Sequence, residues 1–260
     1  MNLNVNVAII LVAFLAAILA ICVLYAIIIP KGSTGNDREF QLTTKNILEH
    51  VKTLFDQGEY ALVQLLALQY LERMPSHIEV RRYLAEAYFK DGKYNNAIKH
   101  CLIILKQDSN RLSIKKILGE CYEKKGMLSK AIKEYEELLE EKSDDADTIK
   151  RLASIYKETE QYYSAISAYN MLNGFLTDNA EIAEIQEILA ELNEITHDYP
   201  AAFEAYKMRL GIYPTDVDTN RRLAELYMKL NNHTRAIETL MYMLSFVTDQ
   251  KALVWIYEST

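Results

Sequence analysis

The sequence predicts an all-α chain: a stack of paired helices, an α-solenoid, preceded by one membrane-spanning helix. Three observations predict it. Residues 84–100 read LAEAYFKDGKYNNAIKH and residues 118–134 read LGECYEKKGMLSKAIKE, nearly the same text 34 positions apart. Four prolines and eight glycines among 260 residues, against abundant Ala, Leu, Glu and Lys, favour helix. The third is an N-terminal run, Val7 to Ile29, that carries no charge.

That run reads VAIILVAFLAAILAICVLYAIII, 23 residues. At 1.5 Å per residue it makes a helix of about 34 Å, enough to cross a bilayer core. A cleaved signal peptide is the competing reading. The run lacks a basic leader, is too long, and is followed by no A-x-A cleavage site, so residues 1–30 are expected to form an uncleaved anchor. No Lys or Arg precedes it, whereas Lys31, Arg38 and Lys45 follow; the positive-inside rule then places the rest of the chain in the cytoplasm. Residues 31–43, within KGSTGNDREFQLTT, are expected to be a flexible linker.

The remainder falls into steps of 34. Gly58, Gly92 and Gly126 share one register, Tyr88, Tyr122 and Tyr156 a second, Ala97, Ala131 and Ala165 a third, and Ala85, Gly119 and Ala153 a fourth. Three extra residues precede Ala190, and the interval then returns to 34 at Ala224. Each step holds two stretches with apolar residues three and four apart, separated by a break such as KDGK, KKGM or LNNH. A Gly or Asn in the break supplies the left-handed backbone that ends a helix. Ser76 with Glu79 has the spacing of a capping box, and Pro75 and Pro214 close two units. Six helix pairs are predicted, over residues 44–77, 78–111, 112–145, 146–182, 183–216 and 217–248.

These residues resemble the tetratricopeptide repeat (TPR), a 34-residue helix pair with a Leu-Gly/Ala…Tyr…Gly…Tyr…Ala…Tyr/Phe…Pro pattern. The matching positions are Leu118, Gly119, Tyr122, Gly126, Ala131 and Tyr135 in one unit, and Leu152, Ala153, Tyr156, Tyr162, Ala165 and Tyr169 in the next. Leu223, Ala224, Tyr227 and Ala236 continue the pattern, while the unit at 183–216 has Asn193 for an aromatic and the first unit has Val51 and Val63 for small residues. The resemblance implies a right-handed superhelix whose concave face is lined by the first helix of each pair, and a role in binding other proteins. Most of the 18 tyrosines are then packing residues. Residues 249–260 hold the apolar content of one more first helix; Trp255, Ile256 and Tyr257 are expected to cap the last pair.

The formal charge of −7 argues against a nucleic-acid binder. Cys22, Cys101 and Cys121 lack metal-ligand spacing and read as reduced thiols. No phosphate loop, nucleophile elbow, H-E-x-x-H or C-x-x-C occurs, and the five histidines are scattered, so neither enzyme activity nor a cofactor is expected. The candidate site is the concave face. In the fifth unit it presents Glu184, Glu187, Glu191 and Glu194, three and four apart, an acidic column suited to Lys or Arg on a protein or peptide partner. Lys116, Lys150 and Lys157 on one side and Arg221 on the other are placed to neutralise it. The lysine and asparagine clamp by which some TPR proteins hold chaperone tails is absent, since Arg82, Glu86, Glu120 and Glu191 occupy the equivalent positions. The expected function is that of a membrane-anchored scaffold, of the kind found in bacterial inner membranes, binding a peptide or helix in its groove. The alternatives are an outward-facing periplasmic assembly factor and a homo-oligomeric structural protein.

Overall fold

The computed structural model describes residues 37–259. Among them are α-helices only, with no strand. The helices are α1 (Asp37–Asp56), α2 (Tyr60–Arg73), α3 (Ile78–Lys90), α4 (Tyr94–Gln107), α5 (Leu112–Lys124), α6 (Leu128–Glu141), α7 (Ala146–Glu158), α8 (Tyr162–Asn173), α9 (Asn179–Ile195), α10 (Tyr199–Ile212), α11 (Val217–Lys229), α12 (His233–Leu244) and α13 (Gln250–Ser259). The chain divides into two compact units at the His100–Cys101 junction, inside α4. In the first, α1, α2 and α3 pack on one another; in the second, each helix from α5 to α13 packs on the next in chain order. The expected anchor, Val7–Ile29, lies outside the described residues. Among the described residues no helix is long and apolar enough to cross a membrane.

The turn inside each pair has one conformation. Gly58, Gly92, Gly126, Glu160, His197 and Asn231 all have positive φ, between 57° and 78°. They stand 34 apart except for one step of 37, between Glu160 and His197. In every case the left-handed residue donates its N–H to the carbonyl three back, and the next residue donates to the carbonyl five back, as Gly92 does to Phe89 and Lys93 to Tyr88. Those two bonds satisfy carbonyls that the first helix leaves open at its end, the Schellman arrangement. Glycine and asparagine announce four of the six turns in the sequence; Glu160 and His197 hold the same conformation against their Cβ.

Small residues let the two helices of a pair approach. Ala85, Gly119, Ala153, Ala190 and Ala224 on first helices are buried, as are Ala97, Ala131, Ala165, Ala202 and Ala236 on second helices. At Gly119 the approach is closest: a Cβ there would lie 2.5 Å from Cε1 of Tyr135, whose side chain is wholly buried. In the first unit Val51 and Val63 take the equivalent places and are also fully buried. At the C-terminal end, Ile256 of α13 is buried with Ala224, Leu240, Met243 and Val247, and Leu253 and Trp255 pack against that cluster.

Three local expectations are corrected. Residues 37–43, read as linker, belong to α1; after Gly35 nothing in DREFQLTTKNILEHV breaks a helix until Gly58. The fifth pair begins at Asn179 rather than 183, because Asp178 caps the helix by accepting from the Ala180 and Glu181 N–H groups, and α9 absorbs the extra residues as 17 helical positions against 13 in α5, α7 and α11. Finally, α3 is capped by His77, which accepts the Val80 N–H at 3.2 Å, and not by Ser76 with Glu79. The helix starts one residue later than a capping box at Ser76 requires.

Two stability measurements follow. Relieving the left-handed strain by Glu160→Gly should raise the unfolding free energy by about 1 kcal/mol, read from the urea midpoint. Gly119→Ala improves helix propensity yet drives a methyl into the buried Tyr135 ring, and should lower stability by roughly 1–3 kcal/mol; a neutral or stabilising result would show that the pair can open there.

Candidate partner-binding face

In the second unit the first helices α5, α7, α9 and α11 are joined side to side by ion pairs. Lys116 Nζ of α5 lies 3.0 Å from Asp145, the cap residue of α7, and 2.9 Å from Asp147. Arg151 of α7 reaches back to Glu120 at 3.8 Å and Glu123 at 3.2 Å on α5. Lys157 of α7 lies 3.4 Å from Glu191 of α9, and Arg222 of α11 lies 3.0 Å from the other oxygen of the same carboxylate. Glu191 thus ties three successive repeats together. The Glu120–Arg151 and Glu191–Arg222 pairs each span 31 residues and stand 71 positions apart, so they are one interaction made twice.

Three of the four predicted carboxylates of α9 therefore do not stand free. Glu187 pairs with Arg209 of α10 at 2.9 Å. Glu194 accepts the Tyr206 hydroxyl, as Glu123 accepts that of Tyr135 at 2.8 Å. Glu184 is exposed, and its charge, behind burial, helps push the Tyr169 phenol pKa upward. Of the predicted cations, Lys116 and Lys157 join the network; Lys150 is exposed on α7, and Arg221 turns to Asp218 of its own helix at 3.3 Å. The residues that close the ladder, Arg151 and Arg222, are the neighbours of Lys150 and Arg221 in the chain. A shift of one residue turns a side chain by about 100° around the helix, and the sequence holds a cation at both phases. The 31-residue spacing from Glu120 and Glu191 is the signal that distinguishes them.

The electrostatics of this face are those of paired charges. Burial pushes the Asp145 carboxyl pKa up, but the Thr148 N–H and the Lys116 ammonium outweigh it and hold it below the ordinary aspartate value. The same competition, between burial and the charges of Lys116 and Arg151, leaves Asp147 lowered as well. Glu120 goes the other way: its burial outweighs Arg151, and its pKa is raised. No group of three or more His, Cys, Asp or Glu suited to a metal ion occurs among the described residues. The thiols are shielded: Cys101 and Cys121 are buried and form no disulfide, and burial pushes Cys121 up to about 12. In the first unit, His100 is stacked on Tyr88 and its Nδ1 lies 3.2 Å from the Arg81 guanidinium; burial first, then the Arg81 charge, lowers its pKa to about 4. It is a packed, neutral imidazole.

Residues 117–145, which hold most of α5 and all of α6, match the tetratricopeptide-repeat family model. The match covers one helix pair, α5 with α6. The fold of the chain is similar to that of the C-terminal part of a TPR repeat-containing protein from Cytophaga hutchinsonii, at 18% identity over 80% of this chain and 85% of that one, with a TM-score of 0.60. A tetratricopeptide repeat protein from Parabacteroides merdae is 15% identical over 82% of this chain and 83% of its own, TM-score 0.53. MamA of AMB-1 is 18% identical over 67% and 95%, TM-score 0.52. At these identities the likeness is one of fold. No curated protein matches the sequence.

Because the Asp145 and Asp147 pKa values are lowered in the folded helix stack, their pairing with Lys116 contributes stability above the ordinary aspartate pKa, near 4, and loses it as pH falls through the folded values. The wild-type protein should lose more stability between pH 5 and pH 3 than Lys116→Met does, measured as urea midpoints; equal losses would mean that Lys116 does not hold these carboxylates.

Proposed function

We propose that this chain is a membrane-anchored TPR scaffold that binds a peptide segment or helix of a protein partner on the first-helix face of its second unit. The observation that carries the reading is the ion-pair ladder running from Lys116 on α5 to Arg222 on α11. It makes four successive first helices into one polar surface, supported from behind by buried Ala and Tyr side chains. A surface of this kind is prepared for an extended ligand: the side chains are already held, so little rotamer freedom is lost on binding. Exposed Glu184 offers a carboxylate to a basic segment. Glu187, Glu191 and Glu194 exchange an internal partner for the ligand's cation, while the freed Lys157, Arg209 and Arg222 remain for its carbonyls and carboxylates.

The anchor in this reading is the Val7–Ile29 run, and the positive charges that follow it support an array in the cytoplasm, at an inner membrane if the source is bacterial. A superhelical curve would turn the first-helix face into a groove.

Photo-crosslinking in cells from position 187 should capture a protein that is not captured from Glu136 on α6. Replacing Glu184, Glu187, Glu191 and Glu194 together with glutamine should weaken that capture by about tenfold or more, with helicity retained. Unchanged capture would remove the acidic column from the site. An alkaline phosphatase fusion at the C-terminus should be inactive; an active one would put the array on the opposite side of the membrane.

A further inference from the structure

One buried cluster of the first unit has no part in the first-helix reading. Arg81 of α3 is only 8% exposed, and its Nε–H is buried with no hydrogen-bond partner. Its guanidinium meets two acceptors, the Pro75 carbonyl and, at 3.2 Å, Nδ1 of His100 on α4. Among the described residues no carboxylate pairs with it. Arginine only donates, so Nδ1 is the acceptor and the ring carries its proton on Nε2. His100 is equally buried, and its ring is stacked on Tyr88 of α3 at 5.6 Å between centroids. The charges that act on it are cations alone, Arg81 from α3 and Lys99 from its own helix.

The other repeats show that the fold does not ask for this pair. Asn220 stands 139 positions after Arg81, as Pro214 does after Pro75, and donates to the Pro214 carbonyl at 3.0 Å. An uncharged amide therefore holds the carbonyl that Arg81 holds in the first unit. One repeat beyond Arg81 and His100, the same two registers carry Lys115 and Glu134, and the Lys115 ammonium lies 2.9 Å from Glu137. There the inward cation meets carboxylates. In the first unit it meets an imidazole, a neutral acceptor that changes state in mild acid.

We propose that Arg81 and His100 form an acid-operated latch between α3 and α4, shut while the imidazole is neutral and released when it takes up a proton. The proton adds to Nδ1, the ring nitrogen with the free lone pair, and removes the acceptor that holds the guanidinium. It also sets two buried cations 3.2 Å apart with no carboxylate to compensate either. When α4 leaves α3, the imidazolium is hydrated and the two cations separate. The sign follows from the lowered histidine. The separated ring takes up its proton near the ordinary value of about 6.5, the packed ring only at about 4, so the shut form loses ground as pH falls through that window.

Cys101, the next residue of α4, is wholly buried and reports the release. The test labels the full chain in detergent micelles with a pyridyl disulfide, a reagent active in acid, and resolves Cys101 by peptide mass spectrometry. Its rate, relative to the same thiol in urea, should rise about thirtyfold between about pH 6.5 and about pH 4.5. In His100→Gln, where an amide oxygen accepts from Arg81 at every pH, that rise should vanish. In Arg81→Asn, which keeps a donor for the Pro75 carbonyl, it should shrink severalfold. A wild-type rate indifferent to pH would overturn the proposal, as would a rise that persists in His100→Gln. Should that variant fail to fold, Arg81→Asn decides alone: an unchanged rise there would mean a buried ring without a latch, and would overturn it. None of these outcomes bears on capture by the first-helix face, because neither residue belongs to the ladder of the second unit.

Discussion

Close approach between the two helices of a pair is the constraint on which the rest of this structure depends. Buried alanine at the two repeat registers, on first helices at Ala153, Ala190 and Ala224 and on second helices at Ala165, Ala202 and Ala236, removes the bulk that would hold the pair apart. Tyr135 and Tyr206 of the second helices then pack on their own first helices, each wholly buried with its hydroxyl on a carboxylate of the preceding helix. A single pair has no means of covering both of its apolar sides, so stability comes from neighbours. Gly119 is where the approach is tightest, and there even alanine's methyl has no room.

Once the pairs are stacked, spacing in sequence becomes spacing in space. A carboxylate on one first helix and a guanidinium 31 residues later fall within reach across the junction of two repeats, and the second unit uses this twice, at Glu120–Arg151 and Glu191–Arg222. The ladder does two things. It fixes side chains that would otherwise be mobile on an open surface, and it consumes the charges that a reading of the sequence takes to be free for a partner. Such half-exposed pairs are individually worth little; their significance here is the ordering of a surface.

The second helices show how loosely the fold governs what points outward. At one register the repeats carry Glu137, Met171, Met208 and Tyr242 in turn, with no change in the buried alanines beneath. Inward positions answer to packing; outward positions answer to whatever the protein meets.

How much of this was legible in the residues varies with the kind of interaction. Periodicity by itself determined the helix pairs, the turns at Gly58, Gly92, Gly126 and Asn231, and the buried alanine registers, because helix phase, left-handed backbone and side-chain volume are local properties that a residue type announces. Tertiary structure decided the rest. It put Glu160 and His197 in the same left-handed conformation without glycine, extended α9 over the extra residues, and moved the α3 cap from Ser76 to His77. It also chose Arg151 and Arg222 over the adjacent Lys150 and Arg221 for the ladder. The reason is geometric: one residue is about 100° of helix rotation, and only the position of the next repeat says which of two neighbouring cations faces it.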